Sequence, residues 1–99
     1  MIAVIGNMRF PAGKMAALLP HVQELVRQTN ANDGCIAYDV GQDVLDPGLL
    51  RFSELWPDQA SLERHIAAPH IAPWRQACQD CGIMDRNFAV YDVAGERGL

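Results

Sequence analysis

Ninety-nine residues make room for one domain and leave none for a cofactor-binding domain beside a catalytic one. With 49% hydrophobic and 20% charged residues, the chain has the apolar mass of a globular core and no signature of disorder. Eight Lys and Arg against 12 Asp and Glu give a formal charge of −4, and the basic residues are spread singly from Arg9 to Arg97, which argues against nucleic acid and anionic membrane as partners.

Residues 2–10 read as a strand, apolar on both parities at first, and Pro11-Ala12-Gly13 ends it. From Lys14 the residues Met15, Leu18, Leu19, Val22, Leu25 and Val26 recur at spacings of three and four, the stripe of a helix packed on a sheet. Pro20 falls inside the stripe and predicts a kink, or a short first segment with the main helix starting there. Asn30 to Gly34 forms a helix-stop cluster. Residues 35–44 alternate as a half-buried strand, and Asp46-Pro47-Gly48 turns the chain into a second strand over 49–56, so that 35–56 is a hairpin. Asp58 is placed to cap a helix carrying Ala60, Leu62, Ile66 and Ala67, which Pro69 breaks. Residues 70–81 form a further helical stretch with Ile71, Trp74 and Cys78 at helical spacing, stopped by Gly82. A last strand over 83–93 and a polar tail over about 94–99 complete the single domain, 1–99.

The order βαββαβ in a chain of this length implies an α+β, ferredoxin-like plan: a four-stranded antiparallel sheet with its helices on one face. Strands at 2–10, 49–56 and 83–93 are apolar on both parities, so the other face predicts a second copy laid on it, a homodimer. No apolar stretch approaches the ~20 residues that span a bilayer, so the chain is not expected in a membrane. Met1 to Gly6 has neither the basic region nor the full apolar run of a secretory signal, and a cytoplasmic address is the expectation. Three cysteines without framework spacing fit free thiols. Cys78-Gln79-Asp80-Cys81 lies at a helix end rather than at the helix N-terminus a redox pair needs. No second pair completes a zinc site, leaving Cys35 and His70 as the donors only geometry excludes. Neither a dinucleotide fingerprint nor a phosphate loop nor a zinc-protease motif is present, so no nucleotide, flavin or dedicated metal site is indicated.

Gly34-Cys35-Ile36-Ala37-Tyr38, then Glu54-Leu55-Trp56-Pro57-Asp58, then His65-Ile66-Ala67-Ala68-Pro69-His70 resemble, in this order and over nearly the whole length, the antibiotic biosynthesis monooxygenase family. The resemblance implies a dimeric α+β barrel with a pocket between sheet and helices in each subunit. Relatives include enzymes that oxidise phenols or quinols with O2 and no metal or flavin, haem-degrading enzymes, and isomerases of small phosphorylated ketones. His70 and His65 match the family pattern and are candidates for the base that deprotonates a phenol. Asn7, the one uncharged polar side chain of the first strand, is a candidate to orient a substrate oxygen or an oxygen adduct, as in the haem-degrading relatives. The Trp and His those relatives use fall, by rough alignment, on His65 and Arg75, which speaks against haem degradation. Trp56 and Trp74 are the expected pocket walls, with Tyr38, Phe52 and Phe88 supplying the rest, and core packing is the alternative for each. Arg51 and Glu54 fall on opposite parities and cannot act as one pair; Glu54 is placed to bridge to Arg9 or Arg86. The expected activity is cofactor-independent oxidation of a small phenolic or quinol-type aromatic by O2, with isomerisation of a small ketone or ligand binding without turnover as alternatives.

Overall fold

The computed structural model describes all of residues 1–99. β1 spans Ile2–Arg9, α1 Met15–Asn32, β2 Ala37–Gln42, β3 Leu49–Trp56, α2 Gln59–Ile66, α3 Ile71–Asp80 and β4 Asp85–Asp92, with a single 3₁₀ turn over Ala12–Lys14. The strands form one sheet in the order β2-β3-β1-β4, every pair antiparallel. This is the α+β, ferredoxin-like plan the element order implied, with β2 and β4 shorter at both ends than the alternation suggested.

α1 runs without interruption through Pro20, where a kink or a fresh start was expected. Pro20 is exposed, so the carbonyl left without its amide partner faces water and the chain has no need to break there. Met15, Leu18, Val22, Leu25 and Thr29 are the buried stripe of this helix. Against them the helix side of the sheet sets Ile2, Val4 and Met8 of β1 and Leu50, Phe52 and Trp56 of β3, all buried. Trp74, Ala77 and Cys78 of α3 and Leu62 of α2 close the same cluster.

The other sheet face is divided. Register places Ala37, Leu55, Ala3 and Tyr91 in one row and Ile5 and Ala89 beside them, with Ile5 50% and Tyr91 54% exposed. The next row is polar: Gly41, Arg51, Asn7 and Asn87. The face is therefore apolar over one half only, because Arg51, Ser53 and Asn87 fall on the outward parity that a purely sequence-based reading counted as apolar.

Candidate active site

The helices do not cover the sheet evenly, and between α2, α3 and the β3-β1-β4 part of the sheet lies a cavity of about 410 Å³. Its wall is mainly apolar: Val4, Met8, Phe52, Leu62, Ile71, Trp74, Ile83 and Phe88. Phe52 meets Trp74 at 6.4 Å between ring centroids and Phe88 at 5.1 Å, so three aromatic rings share one side. Phe88 reaches its place because its partner across the ladder is Gly6. A Cβ on Gly6 would stand 2.2 Å from Phe88 Cδ2, a separation no real pair shows, so the ring rests directly on the β1 backbone. Gly6→Ala should drive the ring off the strand and cost ~1–3 kcal/mol, the range of an overpacked core, read as a lowered midpoint in denaturant.

Three buried residues bring polar groups to this wall: Tyr38, Glu54 and His65. The Asp58 side chain caps α2 by accepting from the Ser61 amide and hydroxyl at 2.8 Å each, and the helix so fixed turns Ser61, Leu62 and His65 inward. His65 Nδ1 lies 2.7 Å from Asp33 Oδ2, and His70 Nε2 lies 2.9 Å from the same oxygen. Asp33 ends α1, held by its amide on the Thr29 carbonyl, and Gly34 follows at φ +75°, a left-handed step that turns the chain away and leaves the carboxylate facing in. His70 stands where the break after α2 leads into α3, with Thr29 Oγ1 3.4 Å from its Nε2.

One carboxylate oxygen thus accepts from two imidazoles, which requires Nδ1–H on His65 and Nε2–H on His70. His65 Nε2 then carries a lone pair. It bonds to nothing within the chain, yet no fully buried side-chain nitrogen or oxygen lacks a partner, so Nε2 keeps accessible surface on a residue that lines the cavity. Burial holds His65 toward the neutral imidazole, below its ordinary value, against the opposing pull of Asp33. A neutral imidazole, oriented by a carboxylate and with its second nitrogen uncommitted beside an apolar cavity, has the chemistry to accept a proton.

Glu54 is the second titratable group in the wall. Trp56 Nε1–H donates to its Oε1 at 2.9 Å, and burial pushes the carboxyl above its ordinary value while the Trp56 bond and the Arg86 charge pull it down. Burial, with Glu54 and Asp33 nearby, raises the Tyr38 phenol and keeps it protonated, a donor. The Asn30 side-chain amide donates to the Tyr38 carbonyl at 3.1 Å and so ties β2 to α1 at this point.

Several expected site residues are therefore redistributed. His65 lines the cavity, whereas Asp33 and His70 stand behind it, His70 joined to His65 only through the shared Asp33 oxygen. Asn7 alternates with Met8 and sits on the opposite sheet face beside Arg51 and Asn87, outside this cavity. Trp56 has no exposed surface and packs behind the wall, 6.3 Å from Tyr38 and 4.8 Å from His65 between ring centroids. Tyr38, Phe52, Trp74 and Phe88 line the cavity as expected. Arg9 pairs with Asp46 and Arg51 with Asp43, so the bridge from Glu54 to Arg9 does not form. Asp33, read in the sequence as part of a helix stop, is the residue that reasoning missed. Its signal was a carboxylate at the end of a buried helical stripe, but nothing in the spacing links it to His65, 32 positions away.

Asp33, His65 and His70 also form the group able to hold a metal ion, with ligand atoms within 4.8 Å of one another. Cys35, Cys78 and Cys81 are free, and burial pushes the Cys78 thiol up to about 12, the reverse of what a reactive thiolate needs.

The family profile described as antibiotic biosynthesis monooxygenase matches residues 1–77. A solved antibiotic biosynthesis monooxygenase structure is 30% identical, with a TM-score of 0.88 over 96% of this chain and 100% of that one. A Deinococcus radiodurans protein assigned to the same family is 22% identical with a TM-score of 0.91, covering 100% of this chain and 98% of that one. An uncharacterised Synechocystis protein is 23% identical over 98 residues, 99% of this chain and 67% of its own length. On the profile match and the complete fold around the cavity, the chain belongs to the antibiotic biosynthesis monooxygenase family.

Proposed function

We propose that this protein is an O2-dependent monooxygenase that oxidises a small phenolic or quinol-type aromatic without a cofactor. The observation that carries the reading is the free Nε2 of a neutral, Asp33-oriented His65 at the wall of a cavity lined by three clustered aromatic rings. A planar ring fits against Phe52, Trp74 and Phe88, and its hydroxyl meets His65 Nε2. Removing that proton turns a phenol of pKa ~10 into an electron-rich phenolate that can give an electron to O2. In the balanced reaction the phenol loses its hydroxyl proton and one ring hydrogen, one oxygen atom becomes a new carbonyl, and the other leaves as water. Tyr38, a phenol kept protonated, is the donor placed to stabilise the reduced oxygen. The apolar wall limits water and strengthens these few polar contacts.

The test is O2 uptake by the purified, metal-free protein over a panel of dihydroxyaromatic and reduced naphthoquinone compounds, with autoxidation subtracted. Uptake above that background is expected for at least one planar phenol. Flat traces across the panel would overturn the reading, and flat traces with retained binding of the same compounds would leave a ligand-binding module. Isomerisation of a small ketone would use His65 and Glu54 as base and acid, and the three-ring wall favours an aromatic over a small polar ketone.

The apolar half of the open sheet face is proposed to pair with a second copy. Ile5 stands at its middle, half exposed, between Ser53 and Ala89. Ile5→Asp should convert a dimer to a monomer in equilibrium sedimentation; a wild-type chain that sediments as a monomer would refute the pairing.

A further inference from the structure

We infer that the substrate of this cavity is an anionic aromatic, a planar ring carrying an acid group that sits between Arg75 and Arg86. The inference rests on the proposed use of the cavity as the substrate site and adds to it the charge of the molecule bound there. Among the residues lining the cavity, Tyr38, Glu54 and His65 are buried, whereas Ile66, Arg75, Gln79, Arg86 and Val90 are exposed and mark its mouth. Arg75 and Gln79 stand four apart on α3, one above the other, and Arg86 and Val90 come from β4. α3 and β4, which bound the opening together with Ile66 of α2, therefore each place a guanidinium on it.

Both arginines are also free to meet an anion. The chain carries 12 acidic side chains against 8 basic ones, so carboxylate partners are plentiful. Arg9, Arg27 and Arg51 each hold one, Asp46, Glu24 and Asp43. Lys14, Arg64, Arg75, Arg86 and Arg97 form no ion pair, and of these five only Arg75 and Arg86 line the cavity. Arg86 instead lies over the Phe88 ring, its Cζ 4.5 Å from the centroid, a stacking that fixes the guanidinium plane on the cavity wall and leaves its N–H edge free. Its charge already reaches inward to Glu54 and Cys78. The one acid inside, Glu54, is shifted by burial toward its neutral form, so it opposes an incoming anion less than an ordinary carboxylate would. The cavity is thus graded: cationic at the mouth, aromatic along the wall, and a base at the buried end. A ring with an acid group at one side and a hydroxyl at the other satisfies all three regions at once, with the acid in a fork of guanidinium donors and the hydroxyl at His65.

Calorimetric titration of the wild-type protein with 3-hydroxy-2-naphthoate and with 2-naphthol, the same bicyclic frame without the acid, tests this directly. The acid is expected to bind about tenfold or more tightly than the naphthol, the scale of a hydrogen bond to a charged group, with the difference shrinking at high salt. Arg75→Gln and Arg86→Gln should each reduce that preference, and the double variant should abolish it while 2-naphthol binding persists. Arg86→Lys keeps the charge but loses the planar fork and should recover part of the preference. Equal binding of the two compounds by the wild type, or an unchanged preference in the double variant, would overturn the inference and leave the cavity as an aromatic site. Failure of both compounds to bind would overturn the inference together with the cavity reading beneath it.

Discussion

His65→Ala should lower substrate-dependent O2 uptake by about 10²–10⁴-fold, the contribution of a positioned general base, while leaving the far-ultraviolet spectrum of the folded chain unchanged. The expectation follows from one nitrogen. His65 Nδ1 is committed to Asp33 at 2.7 Å, so Nε2 is the atom left to take a proton, on a side chain that lines the cavity. Asp33→Asn should cost ~10²-fold or more, because the neutral amide removes the charge that holds the two ring N–H groups and frees His65 to adopt the other tautomer. His70→Gln should do less than either, since a glutamine amide can still donate to Asp33. A His65→Ala rate within a few-fold of wild type would remove this side chain from the chemistry.

The same geometry sets a pH dependence with a definite sign. Burial, the larger effect, lowers the His65 value below the ordinary 6.5. The base is then already unprotonated at neutrality, and the uptake rate should stay level through pH 7 and fall only on the acid side of 6.5. Stability follows the same limb. Between the folded and unfolded values the unfolded chain binds more protons at this site, so the contribution is complete above 6.5 and is lost as pH falls through the folded value.

The frame of this site was legible in the sequence because it rests on local rules. The Asp58 cap that aims α2, the alternation that turns Tyr38 and Phe52 toward the helices, and the α3 spacing of Ile71, Trp74 and Cys78 are all periodicities of two or of three and four. Resemblance to a family added the position of the histidines but not their division of labour. Which of His65 and His70 meets the cavity depends on how the turn through Ala68 and Pro69 is closed, here by backbone bonds from Ala68 to His65 and from Ile71 to Ala68 at 3.0 Å. Asn7 misled for the opposite reason. Its parity with Ala3 and Ile5 was readable, but which parity faces the helices is decided only by the partner strands, and it is Val4 and Met8, on the other parity, that line the cavity. Asp33 and Glu54 carry charge that only a three-dimensional arrangement gives meaning, since each is defined by a partner it does not advertise: His65 for one, Trp56 for the other.

Trp56→Ala should be the most destabilising single change in the chain, at ~3–5 kcal/mol, the usual range for removing a large aromatic from a core. Trp56 has no exposed surface, and in a domain of 99 residues a loss of that size lowers the melting temperature by ~15 °C or more. The informative variant is Trp56→Phe, which keeps a ring in place but removes the Nε1–H that Glu54 accepts at 2.9 Å. A buried carboxylate that loses its donor costs ~1–3 kcal/mol, and it does so only when ionised. Burial already holds Glu54 above the ordinary 4.5, so this site contributes stability below 4.5 that is lost as pH rises through the folded value. Removing the Trp56 donor raises that folded value further. The penalty of Trp56→Phe should therefore be small at pH 4 and grow toward pH 8, as measured by urea unfolding at the two pH values. Adding Glu54→Gln should erase the growth, because an amide has no charge to strand. A Trp56→Phe penalty that is the same at both pH values, and that Glu54→Gln leaves untouched, would show that Trp56 matters here as bulk alone and that the Glu54 carboxylate is held by solvent in the cavity.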